Sequence, residues 1–233
     1  MDQGFWVVIP AAGFGKRMGS DIPKQYLPLK GKTVIEWTLS RFLDHPSLKG
    51  VVVAISDGDP YWQDLALQHS KLKTVTGGAE RSDSVYNALR LLEKMAAKDD
   101  WVLVHDAARP CITTEDIDQL ITELGDHPVG GVLGTPLSDT VKRTNAANEV
   151  IDTPDRSQLW RAFTPQMFHL KPLMDALAYA VKEGKAITDD ASAMELAGLH
   201  PKMVLGRTDN IKITQPGDLQ LAELYLKEQE QAK

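Results

Sequence analysis

The chain has 233 residues, enough for one large α/β domain that buries roughly 70–75% of the surface its unfolded chain exposes and needs no disulfide or metal for its core. Its 42% hydrophobic and 25% charged residues are the mix of an ordinary soluble protein, and no apolar run approaches the ~20 residues of a membrane span. A net charge of −6 argues against a nucleic-acid surface but not against a nucleotide, because a few cations gathered in one cleft can bind phosphates on an acidic protein.

In chain order, Phe5 to Ile9 reads as a buried strand, and Thr33 to Leu43 as a helix with Val34, Trp37, Thr38 and Phe42 on one side. Val51 to Ile55 is an unbroken β-branched run of the kind covered on both faces. Between Glu80 and Ala97, Val85, Ala88, Leu89, Leu92 and Met95 step by three and four along one helix face. Trp101 to Val104 is again a buried strand and Glu115 to Leu124 again a helix. This alternation predicts an α/β fold, a Rossmann-like, mostly parallel twisted sheet with helices on both faces and ligands at the carboxyl ends of its strands.

Residues 137–156 break the rhythm. Polar throughout, they hold two short β-like pieces, Thr140–Thr144 and Glu149–Thr153, joined by a turn at Asn145–Asn148. Such a hairpin has too little apolar surface to stand alone, so it either lies on its own domain or packs on a partner chain. Leu170 to Val181 and Pro216 to Leu226 read as helices, the second with Pro216 near its first turn. With no repeat, low-complexity stretch or linker, the expectation is one domain over 1–233 with a protruding arm. A lone Cys111 forms no internal disulfide, and the Met-Asp-Gln-Gly start lacks the basic and long apolar parts of a secretory leader, so a reducing cytoplasm is expected.

The first strand runs into Pro10-Ala11-Ala12-Gly13-Phe14-Gly15-Lys16-Arg17-Met18-Gly19, followed by Pro23-Lys24-Gln25. Small residues after a buried strand let backbone N–H groups approach a phosphate, and Arg17 and Lys24 add charge to the same loop. A Walker A loop would need Ser or Thr where Arg17 stands, and the dinucleotide fingerprint would need Gly or Ala at Met18; both fail. Two further stations follow strand ends. Gly77-Gly78-Ala79-Glu80-Arg81-Ser82-Asp83-Ser84 enters a helix, which ordinary capping also explains. His105-Asp106-Ala107-Ala108-Arg109 puts a carboxylate where ligands collect, free to pair with Arg109 or to bind a hydroxyl or a metal-bound water; His105 reads as structural.

Pro-Ala-Ala-Gly-x-Gly-x-Arg-Met followed by Pro-Lys-Gln-Tyr resembles the signature loop of the methylerythritol phosphate cytidylyltransferases. The order of the later stations, Asp139-Thr140, Asp155-Arg156, Thr164-Pro165-Gln166, Ile187 to Asp190 and Gly206 to Lys212, is similar to that family from Phe5 to about Leu226. The resemblance implies transfer of the cytidylyl group of CTP to 2-C-methyl-D-erythritol 4-phosphate with release of pyrophosphate. It implies that Arg17, Lys24, Arg156 and Lys212 are catalytic, and that Ala11, Ala12, Gly13, Gly78, Ala79 and Ser84 bind the nucleotide. Asp106, Arg109, Thr140, Thr164 and Thr188 would bind the polyol phosphate. It further implies a homodimer whose arm, residues 137–156, embraces the second subunit and sends Arg156 to the neighbouring site. Magnesium carried mainly by the CTP phosphates is expected, with no dedicated protein cage and with Asp106 and Asp209 as outer-shell partners only.

Related cytidylyltransferases acting on ribitol phosphate share much of this pattern, and composition does not separate the two substrates. A non-catalytic nucleotide sensor would be expected to have lost the loop cations, whereas Arg17, Lys24 and Lys212 are all present.

Overall fold

A computed structural model describes residues 4–13, 19 and 21–231. Arg17, one of the four residues expected to be catalytic, lies outside the described residues. The strands are β1 (Phe5–Pro10), β2 (Pro28–Leu29), β3 (Lys32–Thr33), β4 (Leu48–Ile55), β5 (Leu72–Thr76), β6 (Trp101–Val104), β7 (Gly130–Pro136), β8 (Arg143–Thr144), β9 (Val150–Asp152), β10 (Trp160–His169) and β11 (Lys202–Leu205). The helices are α1 (Val34–Leu43), α2 (Pro60–Asp64), α3 (Arg81–Leu92), α4 (Thr114–Leu124), α5 (Leu170–Lys182), α6 (Asp190–Leu196) and α7 (Pro216–Gln231).

Seven strands form one sheet in the order β11-β7-β10-β6-β1-β4-β5. All neighbours are parallel except β10, which runs antiparallel to both β6 and β7. The mostly parallel α/β sheet expected from the sequence is therefore what forms. Its central strands are covered on both faces, and the strand period of two divides their side chains between two layers. Val7 and Ile9 of β1 pack with Ile35, Leu39 and Phe42 of α1 and with Ile117 and Leu120 of α4. Val8, between them, turns to the other layer with Val85, Ala88, Leu89 and Leu92 of α3 and with α5 and α6. On the outer side of α1, Val34 and Trp37 meet Ala222 and Leu226 of α7, and the free Cys111 is buried in this third cluster. Burial pushes the Cys111 thiol up to about 12, which takes it out of chemistry near neutral pH.

Helix starts follow their sequence signals. Thr33 and Thr113 each cap a helix with a reciprocal acidic partner three residues on, Glu36 and Asp116. Helix α3 begins at Arg81 rather than Glu80 and ends at Leu92 rather than near Ala97.

The arm forms as a hairpin, shorter in its ladder than expected: Arg143 pairs with Asp152 and Thr144 with Val150. Asn148 takes a left-handed φ of 62°, a conformation Asn tolerates, and its N–H donates to the Asn145 carbonyl. The hairpin is the connection between two antiparallel neighbours, β7 and β10, joined at its base by the Leu137 N–H to Leu159 carbonyl bond. Since β7 is parallel to β6 and β1, its carboxyl end, and hence the arm, lies at the sheet edge where the loops after β1 and β6 emerge.

Candidate active site

Four loops leaving the carboxyl ends of parallel strands converge on one cleft: those after β1, β5, β6 and β11. Its lining includes Ala11, Ala12, Gly13, Lys24, Gly78, Ala79, Ser84, Asp106 and Lys212, nine of the residues singled out in the sequence. Crevices of this kind, outside strand carboxyl ends, are the usual ligand sites of open α/β sheets.

The start of the glycine loop is held by two side chains. Gln25, itself buried, donates through Nε2 to the Ala11 carbonyl (2.7 Å) and the Gly13 carbonyl (3.1 Å), while Ser56 donates to the Ala12 carbonyl (3.0 Å). Lys24, one residue before Gln25, is thereby brought over the loop, with its Nζ 3.2 Å from the Ile213 carbonyl. The second glycine station is tight for a different reason. A Cβ on Gly77 would meet Ala12 and Ser84, and one on Gly78 would collide with Asp83. Ser84 Oγ accepts the Gly78 N–H at 3.0 Å and donates to the Glu80 carbonyl at 3.2 Å, folding the loop back onto the first turn of α3.

Asp106 is the electrostatic centre of the cleft. Arg81 Nε lies 3.0 Å from its Oδ1, while Lys212 Nζ lies 2.8 Å and Arg109 Nε 3.5 Å from its Oδ2. Burial pushes this carboxyl up, but the charges of Arg81, Lys212 and Arg109 outweigh it and hold the group well below the usual carboxylate range. Arg109 is buried behind Asp106 and also donates to the Asn210 carbonyl at 2.7 Å. This bond, with Asn210 Nδ2 to the Thr164 carbonyl (2.9 Å) and Ile213 N–H to the Ala108 carbonyl (2.8 Å), folds the segment after β11 over the β6 loop and delivers Lys212 to the cleft.

Beneath Asp106 a buried polar chain sets its backbone. Thr164 Oγ1 accepts the Asp106 N–H at 3.0 Å and faces His105 Nδ1 at 3.1 Å, while His105 Nε2 is 3.0 Å from the Arg109 carbonyl. A carbonyl only accepts, so Nε2 carries the proton and Nδ1 receives the threonine hydroxyl. Burial pushes the imidazole down to about 4, and with both nitrogens occupied it is neutral and structural, as the sequence suggested.

The structure therefore separates the predicted residues into groups. Lys24, Lys212 and Asp106 share the cleft with the small-residue loops. Arg109 and Thr164 stand behind Asp106 rather than on the cleft surface. Thr188 is exposed in an adjoining hollow with Arg81, Asp189 and Asp190. Thr140 and Arg156 are exposed on the arm, where Arg156 donates to the Ser138 carbonyl at the arm's base. Asp209 does not line the cleft; it accepts from Arg207 Nε at 2.9 Å and Nη2 at 2.7 Å.

Arg81 was not singled out from the sequence. The signal lay in an arginine at the first turn of the helix following a paired-glycine loop, where a cation is unfavourable to the helix dipole unless carboxylates compensate it. Asp190 and Asp106 do so: burial lowers the affinity of Arg81 for its proton, but these two carboxylates raise it above the ordinary arginine value.

Comparison with known proteins agrees with this geometry along nearly the whole chain. A family profile described as 2-C-methyl-D-erythritol 4-phosphate cytidylyltransferase matches residues 5–228. Proteins of that name from Pseudomonas aeruginosa and Vibrio vulnificus are 57% and 53% identical, over 217 and 227 residues. These alignments cover 92% and 97% of this chain, and 93% and 96% of the relatives. Among solved structures, the Francisella tularensis 2-C-methyl-D-erythritol 4-phosphate cytidylyltransferase superimposes with a TM-score of 0.84 at 38% identity, covering 96% of this chain and all of the other. That of Thermus thermophilus gives 0.76 at 31% identity, covering 97% of this chain and all of the other.

Proposed function

The chain belongs to the 2-C-methyl-D-erythritol 4-phosphate cytidylyltransferase family, and from that premise we propose how its residues divide the work. The enzyme transfers the cytidylyl group of CTP to 2-C-methyl-D-erythritol 4-phosphate, giving 4-diphosphocytidyl-2-C-methyl-D-erythritol and pyrophosphate, a step of non-mevalonate isoprenoid precursor synthesis. The observation that carries the residue assignment is the convergence of Lys24, Lys212 and Asp106 with the two small-residue loops in one cleft.

A phosphate oxygen of the polyol substrate bonds to the α-phosphorus of CTP. The bond from that phosphorus to the bridging oxygen breaks, and pyrophosphate leaves with the electron pair. The nucleophile is already largely ionised at neutral pH, with a second pKa about 6. No general base is needed, which accords with a neutral, fully engaged His105. The barrier is electrostatic, and preorganised cations lower it. Lys24, with Arg17 of the same loop, contacts the triphosphate; Lys212 bridges nucleotide and polyol phosphate. Ala11, Ala12 and Gly13 let the phosphates approach the backbone. Gly78, Ala79 and Ser84 receive base and ribose; the Gly78 N–H is taken by Ser84, which leaves the Gly78 carbonyl and the Ala79 peptide for the base. Asp106 and Thr188 receive the polyol, with Arg109 and Thr164 fixing Asp106.

Magnesium is the divalent ion we assign, held mainly by CTP. Among the described residues no group of three or more His, Cys, Asp or Glu gathers to cage a metal, and both oxygens of Asp106 already face cations. Such a donor set fits an ion that arrives on phosphate oxygens and keeps several waters. When bound, it neutralises phosphate charge.

The same reading makes the chain one nucleotidyltransferase domain that works as a homodimer, with 137–156 as the dimerisation arm. Val150 and Ile151 on the arm are each 60% exposed, apolar surface that a second subunit would cover, and Arg156 and Thr140 at its base would then serve the neighbour's cleft. No described helix is long and apolar enough to cross a membrane; we assign the enzyme to the cytoplasm. Pyrophosphate release measured with CTP, ATP, GTP and UTP against methylerythritol and ribitol phosphates tests the substrate assignment. Turnover is expected with CTP and methylerythritol phosphate, and equal turnover of ribitol phosphate would overturn it.

A further inference from the structure

We propose that Arg81 and Asp190 are a positioning pair that fixes the Asp106 carboxylate for the polyol phosphate; this rests on the assignment of Asp106 to that substrate. One planar guanidinium spans two carboxylates from different elements. Its Nε is 3.0 Å from Asp106 Oδ1 after β6, and one terminal nitrogen is 2.9 Å from Asp190 Oδ2 at the start of α6. Asp190 is 1% exposed, so almost none of its surface is open to a ligand.

Capping of its own helix does not require a charge at Asp190. The start of α6 is capped by its neighbour Asp189, whose carboxylate accepts the Ser192 N–H at 2.9 Å. A buried ion pair is often no more stabilising than apolar residues of similar volume, so stability alone does not account for this one. Geometry does. Asp106 must hold its plane while its cations change partners. Lys212, on the more exposed side chain, occupies Oδ2 and is the cation free to turn to a phosphate. Arg81, tied at its far end to Asp190, keeps Oδ1 fixed when Lys212 leaves. Lysine at position 81 would bring the charge as a flexible point rather than a rigid planar fork held at both ends.

The test measures kcat/KM for methylerythritol phosphate, KM for CTP and the melting temperature on the full chain, in Asp190→Asn, Arg81→Lys, Arg81→Met and Asp106→Asn. In Asp190→Asn, kcat/KM for the polyol phosphate is expected to fall by up to about 10²-fold, because a misplacement of about 1 Å that starts far from the chemistry costs on that scale, while KM for CTP stays put. Arg81→Lys should recover the melting temperature lost in Arg81→Met without recovering kcat/KM, a split that a merely structural pair would not show. A folded Asp190→Asn enzyme with wild-type kcat/KM, beside an impaired Asp106→Asn enzyme, overturns the pair's role alone. An unimpaired Asp106→Asn enzyme overturns the assignment of Asp106 as well. Should Asp190→Asn not fold, the double variant Arg81→Leu/Asp190→Leu removes both charges of the pair and carries the same expectation.

Discussion

The cleft and the arm are built on opposite terms. Around the cleft, the bonds that place the charged groups join residues far apart in sequence: Lys212 meets Asp106, Arg81 meets Asp190, Asn210 meets Thr164. These bonds are buried or half-buried and hang from strands of a fully packed sheet. The arm's bonds are local and exposed. Arg143 pairs with Asp152 and Asn145 with Glu149, and the apolar side chains of Val150 and Ile151 face outward. A cation in the cleft is therefore preorganised by the fold, whereas Arg156 is exposed and bonded to the Ser138 carbonyl at the arm's own base. On our account the cleft supplies the chemistry within one chain and the arm supplies what comes from another.

Breaking the cleft should cost most. Replacing Lys24 with Ala removes one preorganised donor and is expected to lower kcat by about 10²–10³ with the fold intact; unchanged turnover in a steady-state assay would contradict its assignment. Next comes the arm. Val150→Asp with Ile151→Asp places charges on the surface proposed to be covered, and light scattering should show a monomer with most activity lost. A fully active monomer would sever the arm from catalysis.

Thr164→Val probes the support beneath Asp106. It leaves the buried Asp106 N–H without its acceptor, and about 1–3 kcal/mol of stability should be lost, read by urea unfolding; no change would mean that this chain carries no strain on the site. The last effect concerns pH, and on turnover it is the smallest. The folded imidazole of His105 is depressed to about 4 from an ordinary 6.5. Between these values the unfolded chain binds the extra proton, so stability rises with pH through that window and is lost as pH falls from 6.5 towards 4. Turnover should show no inflection from an imidazole between pH 6.5 and 8, and one that vanished in His105→Asn would contradict its structural role.

Where periodicity was clean, the sequence was legible. Trp101–Val104, Phe5 to Ile9 and the helix faces of α1, α3, α4 and α5 all appeared within a few residues of where they form. β7 did not, because Gly130-Gly131-Val132-Leu133-Gly134 reads as turn chemistry. Its glycines serve close packing instead: a Cβ on Gly131 would strike the Lys202 carbonyl, and one on Gly134 the Arg161 carbonyl. β10, with Pro165 inside it, was hidden for the same kind of reason. At the site, Arg17 and Asp106 were visible because each stands near small residues after a strand, Lys24 because it follows on the same loop, and Lys212 only through the family resemblance. Arg81 and Asp190 were not, since what gives them meaning is a contact between residues 109 apart in sequence.

The central claim, that each active site joins a cleft from one chain to an arm from another, is tested most directly by mixing two inactive variants. Lys24→Ala and Arg156→Ala chains, unfolded together and refolded at equal amounts, should regain roughly a quarter of wild-type turnover, because half of the two-fold dimers are mixed and each of those holds one intact site. A mixture as inactive as its two parents would contradict the shared site.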